Sequence, residues 1–450
     1  MSKLYSELLK NIIMPIADVV MHTNICKFTK LLSEMEKLSR DELIFWQSEK
    51  LQQIIKHCYN NVPYYRKMMS NLHLLPSDIK TQDDLSKLPF LTKKIIRDNF
   101  DKLIPSNIQK IRYKKHSTGG STGNPLKYLL DINSWSMSIA NHIVKWHWTG
   151  YQYGEPYIGL GSSSLFPNKI TSIKHKIFYS LKNYITLNGV NLPDSVLKKY
   201  TKILEEKRIK YVYGYASAIY LWADYLIRTN NNINISACIT TSEILTDTYR
   251  QTIEKAFQGN VFDEYGARDG GIFTFQCEKG NYHIGENSIL EVVDDNGDII
   301  QDGKGEVVAT DLFNYAMPFI RYKIGDMVNV SPDICSCGHQ QKLIKKVYGR
   351  TSDIIRLKNG HTLTGPGFTR LFKDLNVLNY NIIQTGPFSI DVLLQVNDEY
   401  KFTEEKLIKD TIKKQAGDNC AVNVKYVDKF NLTKSGKNSY FISNAYERTT

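Results

Sequence analysis

Ser117-Thr118-Gly119-Gly120-Ser121-Thr122-Gly123-Asn124-Pro125, running on into Leu126-Lys127-Tyr128-Leu129-Leu130, is the stretch that decides how this chain is read. Seven of the nine residues before Leu126 are Ser, Thr or Gly. Such a run offers many backbone N–H groups and hydroxyls with few side chains in the way, which suits a loop around phosphate oxygens. Pro125 and the apolar, β-prone residues after it predict a strand. A Walker loop is thereby excluded, because it needs Gly-Lys-Ser/Thr opening a helix, and here Gly123 leads into Asn124-Pro125. Gly119 to Gly123 also fits Gly-x-Ser-x-Gly with Ser121 as a hydrolase nucleophile, but that elbow needs a helix directly after the serine. Taken alone, the same composition describes a plain surface loop.

Working outward, 450 residues exceed what one hydrophobic core usually serves, so two or more domains are expected. Apolar content of 42% and charged content of 23% fit an ordinary globular protein. No apolar run is long enough to span a bilayer. Asn11 to Met21 lacks the basic start and cleavage site of a secretion signal, so a cytoplasmic protein is expected. That segment reads as a packed helix, with weak membrane-surface contact as the alternative. The net charge of +12 is dispersed, with no Arg/Lys block interleaved with aromatics. Nucleic acid is therefore not expected as a partner, and the charge would help to hold a polyphosphate.

Seven cysteines in such a chain do not suggest a disulfide framework. Cys26, Cys58, Cys238 and Cys420 stand alone and read as core residues or free thiols. Cys335-Ser336-Cys337 differs, since two thiolates one residue apart resemble half of a metal site. Cys277 and His283 could supply the other half of a Cys3His zinc set, with His339 competing as the fourth ligand.

Residues 1–110 read mostly as helix, with helical periodicity over Glu49 to Cys58 before Val62-Pro63. From about 111 to 330 strands and helices alternate. Tyr157 to Gly161, Tyr211 to Gly214 and Ile239 to Ser242 read as strands, and Asp194 to Lys207 and Asp247 to Phe257 as helices. Val261 to Gly266 reads as a strand and then a turn, and Glu291 to Val308 as a hairpin turning at Asp294-Asp295-Asn296-Gly297. This alternation predicts α/β layers. Beyond Gly349-Arg350 the pattern becomes short strands and two helices, so a boundary is placed near 350.

Several motifs now fall in order: the 117–125 loop, Tyr265-Gly266-Ala267-Arg268-Asp269, Arg321-Tyr322-Lys323-Ile324-Gly325-Asp326, Gly349-Arg350-Thr351-Ser352-Asp353, and Thr433-Lys434-Ser435-Gly436-Lys437. Each has a structural reading of its own: Asp326 could cap a turn, Lys437 could be a solvated lysine, and Tyr265-Gly266 could be a packed strand end. In this order they resemble the adenylate-forming (ANL) superfamily, in its phenylacetate–CoA ligase branch with the CapK-like proteins of capsule clusters. Asn61-Val62-Pro63-Tyr64-Tyr65, Leu88-Pro89-Phe90-Leu91-Thr92-Lys93 and the Cys-x-Cys-Gly before Gly349-Arg350 add to the likeness, which covers nearly the whole chain.

The resemblance implies an α/β fold: a large N-terminal adenylation domain of layered β-sheets and helices over 1–349, and a small mobile α+β domain over 350–450. It implies ATP bound through Ser117, Thr118, Gly119, Gly120, Ser121, Thr122 and Gly123 at the β- and γ-phosphates. Ser242, Glu243, Asp263, Glu264, Tyr265 and Gly266 would surround the adenine, with Tyr265 stacked on it. Asp326 would accept from the ribose hydroxyls and Arg350 would lie beside the ribose and phosphates. Asp269 stands where the family usually has a glutamate that helps to bind Mg2+. Lys437 matches the catalytic lysine. The acidic hinge position is Ser352 here, with Asp353 next to it. Some members of the branch bind structural zinc through a set matched by Cys277, His283, Cys335 and Cys337, which favours His283 over His339. The acid pocket is expected from Ala140 to Trp148, Tyr213 to Ala216 and Gly266 to Phe273.

Carboxylate attack on an α-phosphate needs charge neutralisation more than covalent help, and a point-charge lysine, a divalent ion and a hydroxyl-rich loop provide it. The expected activity is a carboxylate–CoA ligase: a small carboxylic acid and ATP give an acyl-adenylate and pyrophosphate, and CoA takes the acyl group. The alternative acceptor is an amine, such as an amino sugar in surface-polysaccharide assembly. A non-catalytic nucleotide binder, suggested by Asp269 and Ser352, and a Ser121 hydrolase complete the readings. The protein is expected to be a monomer or homodimer.

Overall fold

The computed structural model describes residues 3–118, 126–161, 165, 183–189, 192–294, 296–348, 354–357, 361–364, 371–372, 375–417, 419–428 and 441–443. Gly119 to Pro125, Arg350, Ser352, Asp353 and Lys437 therefore lie outside the described residues, as does Gly365-Pro366-Gly367.

The chain opens in helices, the longest being Arg40–Asn61, which starts at a capping box between Ser39 and Glu42 and ends where Pro63 begins the helix Pro63–Asn71. Tyr65 on that second helix is buried; its hydroxyl donates to Pro318 O at 2.9 Å and accepts from Ile320 N at 3.1 Å. A short antiparallel hairpin follows, β1 (Tyr113–Ser117) and β2 (Lys127–Asp131), with Ser117 opposite Lys127. The strand predicted after Pro125 is thus present, and it leads into the helix Ile132–Lys145.

Among the described residues the largest sheet has eleven strands. Its parallel half holds β3 (Tyr157–Gly161), β4 (Tyr184–Asn188), β5 (Tyr211–Tyr215), β6 (Ala237–Thr241) and β7 (Asn260–Ala267), joined through the helices Asp194–Glu206, Ala216–Arg228 and Asp247–Phe257. Parallel neighbours need such crossovers, which is why strand and helix periodicities alternate here. At β7 the sheet turns antiparallel, through β8 (Ile272–Gln276) and β9 (Tyr282–Ile284). It continues from β9 to β13 (Leu343–Val347), β12 (Tyr322–Ser331), β11 (Gly303–Asp311) and β10 (Ser288–Val293). The strand expected to turn at Gly266 instead runs on to Ala267, because Gly266 and Ala267 still pair with Phe273 and Ile272; the turn is the 3-10 segment Arg268–Gly270.

A separate apolar cluster forms around Ile355, Leu363, Phe372, Tyr380, Ile390 and Ile408. It fills the space between a four-stranded mixed sheet, ordered β16 (Ala421–Tyr426), β15 (Ser389–Val396), β14 (Val377–Gly386) and β17 (Phe441–Ser443), and the helix Phe402–Ala416. Leu371 and Phe372 are helical as well, so both helices expected of this region are represented among the described residues. The layered α/β class is the observed one. No helix among the described residues is long and apolar enough to cross a membrane.

Candidate active site

The two ends of the Ser/Thr/Gly loop are fixed by the hairpin: Thr118 N donates to Leu126 O at 2.9 Å, and Leu126 N to the Thr118 hydroxyl at 2.9 Å. His116, just before the loop, meets the Arg268 guanidinium at 3.3 Å. His116, at the root of the loop, thus lies beside the turn that carries Asp269.

Asp269 is buried on that turn, and the Tyr322 hydroxyl donates to its Oδ2 at 2.8 Å. Burial raises its carboxyl pKa, while the Tyr322 hydrogen bond and the positive field of Lys93 pull it back. Lys93 reaches this neighbourhood because the Leu88–Leu91 segment is pinned to β12: Leu91 N donates to Arg321 O and Lys323 N to Leu91 O, both at 2.9 Å. Arg321 itself has φ 52, a left-handed conformation for a non-glycine residue. Its guanidinium pairs with buried Glu291 at 2.9 Å and donates to Leu88 O at 2.6 Å, and its N–H bonds the Thr310 hydroxyl. Such over-determination holds an unfavourable backbone state in place. With Tyr65 bracing Pro318 and Ile320, it fixes where Tyr322 emerges. The two motifs near residues 61 and 88 therefore buttress β12 and supply Lys93, a contributor that sequence spacing did not reveal.

Tyr265, near the end of β7, donates through its hydroxyl to Asp326 Oδ2 at 3.2 Å, and the Thr274 hydroxyl holds Tyr265 O at 2.9 Å. Tyr265, Asp326, Asp269 and the roots of the loop are thus gathered at one end of the sheet. Asp263 faces the same way as Tyr265 but is buried, bonded to the Tyr282 hydroxyl at 2.6 Å and to Thr240, with its carboxyl pushed up to about 6, chiefly by burial. Its N–H is taken by Gln276 Oε1 at 3.1 Å. Ser242 has φ 67 and directs the chain from β6 into Glu243, whose Oε2 accepts from Ser217 N at 2.8 Å at the start of the helix Ala216–Arg228. Gly266 leaves no room for a side chain, since a Cβ there would stand 2.9 Å from Ile272 O.

Glu264 faces the opposite side of β7. Its Oε1 meets His142 Nε2 at 3.1 Å and accepts from the hydroxyls of Tyr213 at 3.3 Å and Thr241 at 3.4 Å. The His142 ring packs 4.8 Å from that of Phe273. This pair lies within the region expected to hold the acid pocket, yet it was not singled out by sequence, because its members are 122 residues apart.

Behind this region the ligand atoms of Cys277, His283, Cys335 and Cys337 all lie within 4.8 Å of one another. Cys277 Sγ is 3.7 Å from Cys335 Sγ, and Cys337 Sγ is 3.3 Å from His283 Nε2. Burial, with His339 and Lys145 nearby, drives the His283 pKa down to about 3, so the imidazole is in the neutral form that binds metals. His339 is not part of the set; it stacks on Trp148 at 3.8 Å. Trp148 in turn lies 4.7 Å from Lys145 Nζ, which is fully buried between Glu286 at 3.1 Å and Glu36 at 3.5 Å. One helix, Ile132–Lys145, therefore carries His142 to Glu264 and Lys145 to the neighbourhood of the cysteine cluster.

Residues 355–444 match the family model described as the CapK C-terminal domain. Over 435 residues, 93% of both chains, the protein is 27% identical to protein CapK of Staphylococcus aureus. It is 27% identical to the phenylacetate-coenzyme A ligase of Pseudomonas putida over 73% of this chain and 75% of that one. The structure of 2-hydroxyisobutyryl-CoA ligase with 2-HIB-AMP and CoA in the thioesterification state superposes with a TM-score of 0.62 at 16% identity, covering 91% of each chain, which establishes the shared fold.

Proposed function

We propose that this chain, an adenylate-forming ligase of the ANL superfamily in the branch of the phenylacetate–CoA ligases and CapK, binds ATP and a small carboxylic acid in the site around Tyr265, Asp269 and Asp326 and joins them as an acyl-adenylate. The observation that carries this reading is the convergence of the Tyr265–Asp326 hydrogen bond and the buried Asp269–Tyr322 pair, with the roots of the Ser/Thr/Gly loop joined to the same turn through His116 and Arg268.

In this reading Asp326 accepts from the ribose, Tyr265 lies against adenine, and the 117–123 loop grips the β- and γ-phosphates through backbone N–H groups and hydroxyls. The Asp269 carboxylate, buried with a phenol as its near partner, suits a divalent cation, which relieves the cost of a desolvated charge. Mg2+ held there would neutralise phosphate charge. A carboxylate oxygen attacks the α-phosphorus; the bond to the β-phosphate oxygen breaks and pyrophosphate leaves. Arg350 and Lys437 stabilise the charge that develops. We place the small domain at 350–450, pivoting at Ser352-Asp353 so that Lys437 serves the first step and gives way to the acceptor in the second.

CoA is the acceptor by likeness to the phenylacetate ligases. The alternative acceptor is an amine such as an amino sugar; the likeness to CapK spans 93% of the chain and the named ligase match 73%, so the second step does not follow from the ligase match alone. In either case Cys277, His283, Cys335 and Cys337 would hold zinc in a closed tetrahedral set with no position for substrate, joining the β8–β9 hairpin to the loop before β13.

Mass spectrometry of the reaction with ATP and an acid panel tests this directly. Acyl-AMP should accumulate without an acceptor and be discharged by CoA or by an amino sugar, which separates the two acceptors. Formation of ADP rather than AMP would rule out adenylation.

A further inference from the structure

The side of β7 away from Tyr265 packs against an aromatic cluster that includes Trp146, Tyr213, Phe262, Phe273 and Phe275. Into this apolar surround the chain places one carboxylate. Glu264 is only 7% exposed, and its two oxygens differ. Oε1 has three partners, His142, Tyr213 and Thr241. Oε2 is buried and has no hydrogen-bond partner among the described residues. A desolvated carboxylate oxygen without a donor is costly, and native interiors rarely leave one so. The position also matters: Glu264 directly precedes Tyr265, so what contacts Oε2 lies across the strand end from the nucleotide site.

Burial disfavours a charged His142, yet the Glu264 carboxylate and its hydrogen bond more than offset this and raise the imidazole pKa above its ordinary value. With His142 protonated the pair carries no net charge, and Arg268 is the further cation whose field reaches it. An ammonium brought to Oε2 would add an uncompensated charge among aromatic rings. A hydroxyl adds a donor and no charge.

We propose that the acid activated here is a hydroxylated carboxylic acid whose hydroxyl donates to Glu264 Oε2 while its carbon skeleton lies on Phe273 and Tyr213, so that Glu264, held by His142, sets specificity. This rests on the adenylation reading for the place of the acid, but not for the contact itself. An acid lacking the hydroxyl leaves Oε2 unpaired, which costs about 10- to 100-fold in kcat/KM.

The test uses matched acids on the full chain: 4-hydroxyphenylacetate against phenylacetate, and 3-hydroxybutyrate against butyrate. Two readouts run in parallel, acid-dependent pyrophosphate exchange and the NMR signal of the labelled His142 ring, which needs no turnover. In at least one pair the hydroxylated acid should be preferred 10-fold or more and should move the His142 signal where its partner does not. Glu264→Gln should shrink that preference to about 3-fold or less. His142→Gln, which keeps a donor toward Glu264, should lower the preference without abolishing it, and it stands in if the first variant fails to fold. Equal use of both members of each pair, or a preference untouched by both variants, would overturn the proposal and assign Oε2 to an ordered water. If no acid supports exchange, the adenylation reading fails. The His142 signal still decides this proposal, which falls if no hydroxylated acid moves it.

Discussion

The Tyr265 hydroxyl donates to Asp326 Oδ2 over 3.2 Å, tying the end of β7 to β12 across 61 positions of sequence. In the proposed site both groups serve one ligand, the nucleotide. Asp326→Ala removes the ribose acceptor as well as the tie and should weaken ATP binding by about 10- to 100-fold, since hydrogen bonds to charged groups are worth roughly 1.5–3 kcal/mol. Tyr265→Phe keeps the ring and should cost less than Asp326→Ala. Calorimetric titration with ATP measures both, and an unchanged Kd for Asp326→Ala would remove Asp326 from the site.

Lys437→Ala should abolish formation of the adenylate, a loss of at least about 100-fold, because a positioned charge is then missing from the transition state. Transfer from a supplied acyl-adenylate should be nearly unaffected. Equal loss in both half-reactions, followed by rapid quench, would contradict a lysine that serves the first step alone.

The purified protein should carry stoichiometric zinc. Cys335→Ser should release it and destabilise the chain by about 3 kcal/mol or more, as expected when a structural metal is lost. Metal analysis and thermal unfolding check this. A metal-free protein of undiminished stability would sink the assignment.

Glu243 gives a pH dependence. Its burial pushes the carboxyl up from 4.5 to about 7. The folded state therefore keeps a proton that the unfolded chain releases, so this contribution is fully present below pH 4.5 and is lost as pH rises to about 7. Asp131 and Asp311, both pushed up to about 6 mainly by burial, act in the same direction. Glu243→Gln should flatten the fall in stability between pH 4.5 and 7, a change on the order of 3 kcal/mol. Denaturant unfolding at several pH values measures it, and an identical slope in the variant would mean that Glu243 is ionised in the native state.

Local elements were legible wherever one periodicity ruled. Asp247–Phe257 has the bounds that the sequence implied, and the helix begun at Asp194 ends one residue early, at Glu206. The end of β7 was misread because Gly266 carries a turn signal, whereas pairing with Phe273 holds it in the sheet. The cysteine cluster was readable from residue type, and the structure removed His339 by stacking it on Trp148. What stayed hidden depends on contacts between distant segments. The Glu264–His142 pair needs the helix Ile132–Lys145 laid against β7, and Lys93 reaches Asp269 only through the buried Arg321–Glu291 clamp.

The central claim is adenylation at the Tyr265–Asp326 end of the sheet. Incorporation of labelled pyrophosphate into ATP by the unmodified chain, over a panel of carboxylic acids, tests it most directly. Exchange that requires an acid, requires Mg2+ and falls with Asp326→Ala is the predicted result. Absence of exchange with every acid, in a protein that binds ATP, would contradict the account.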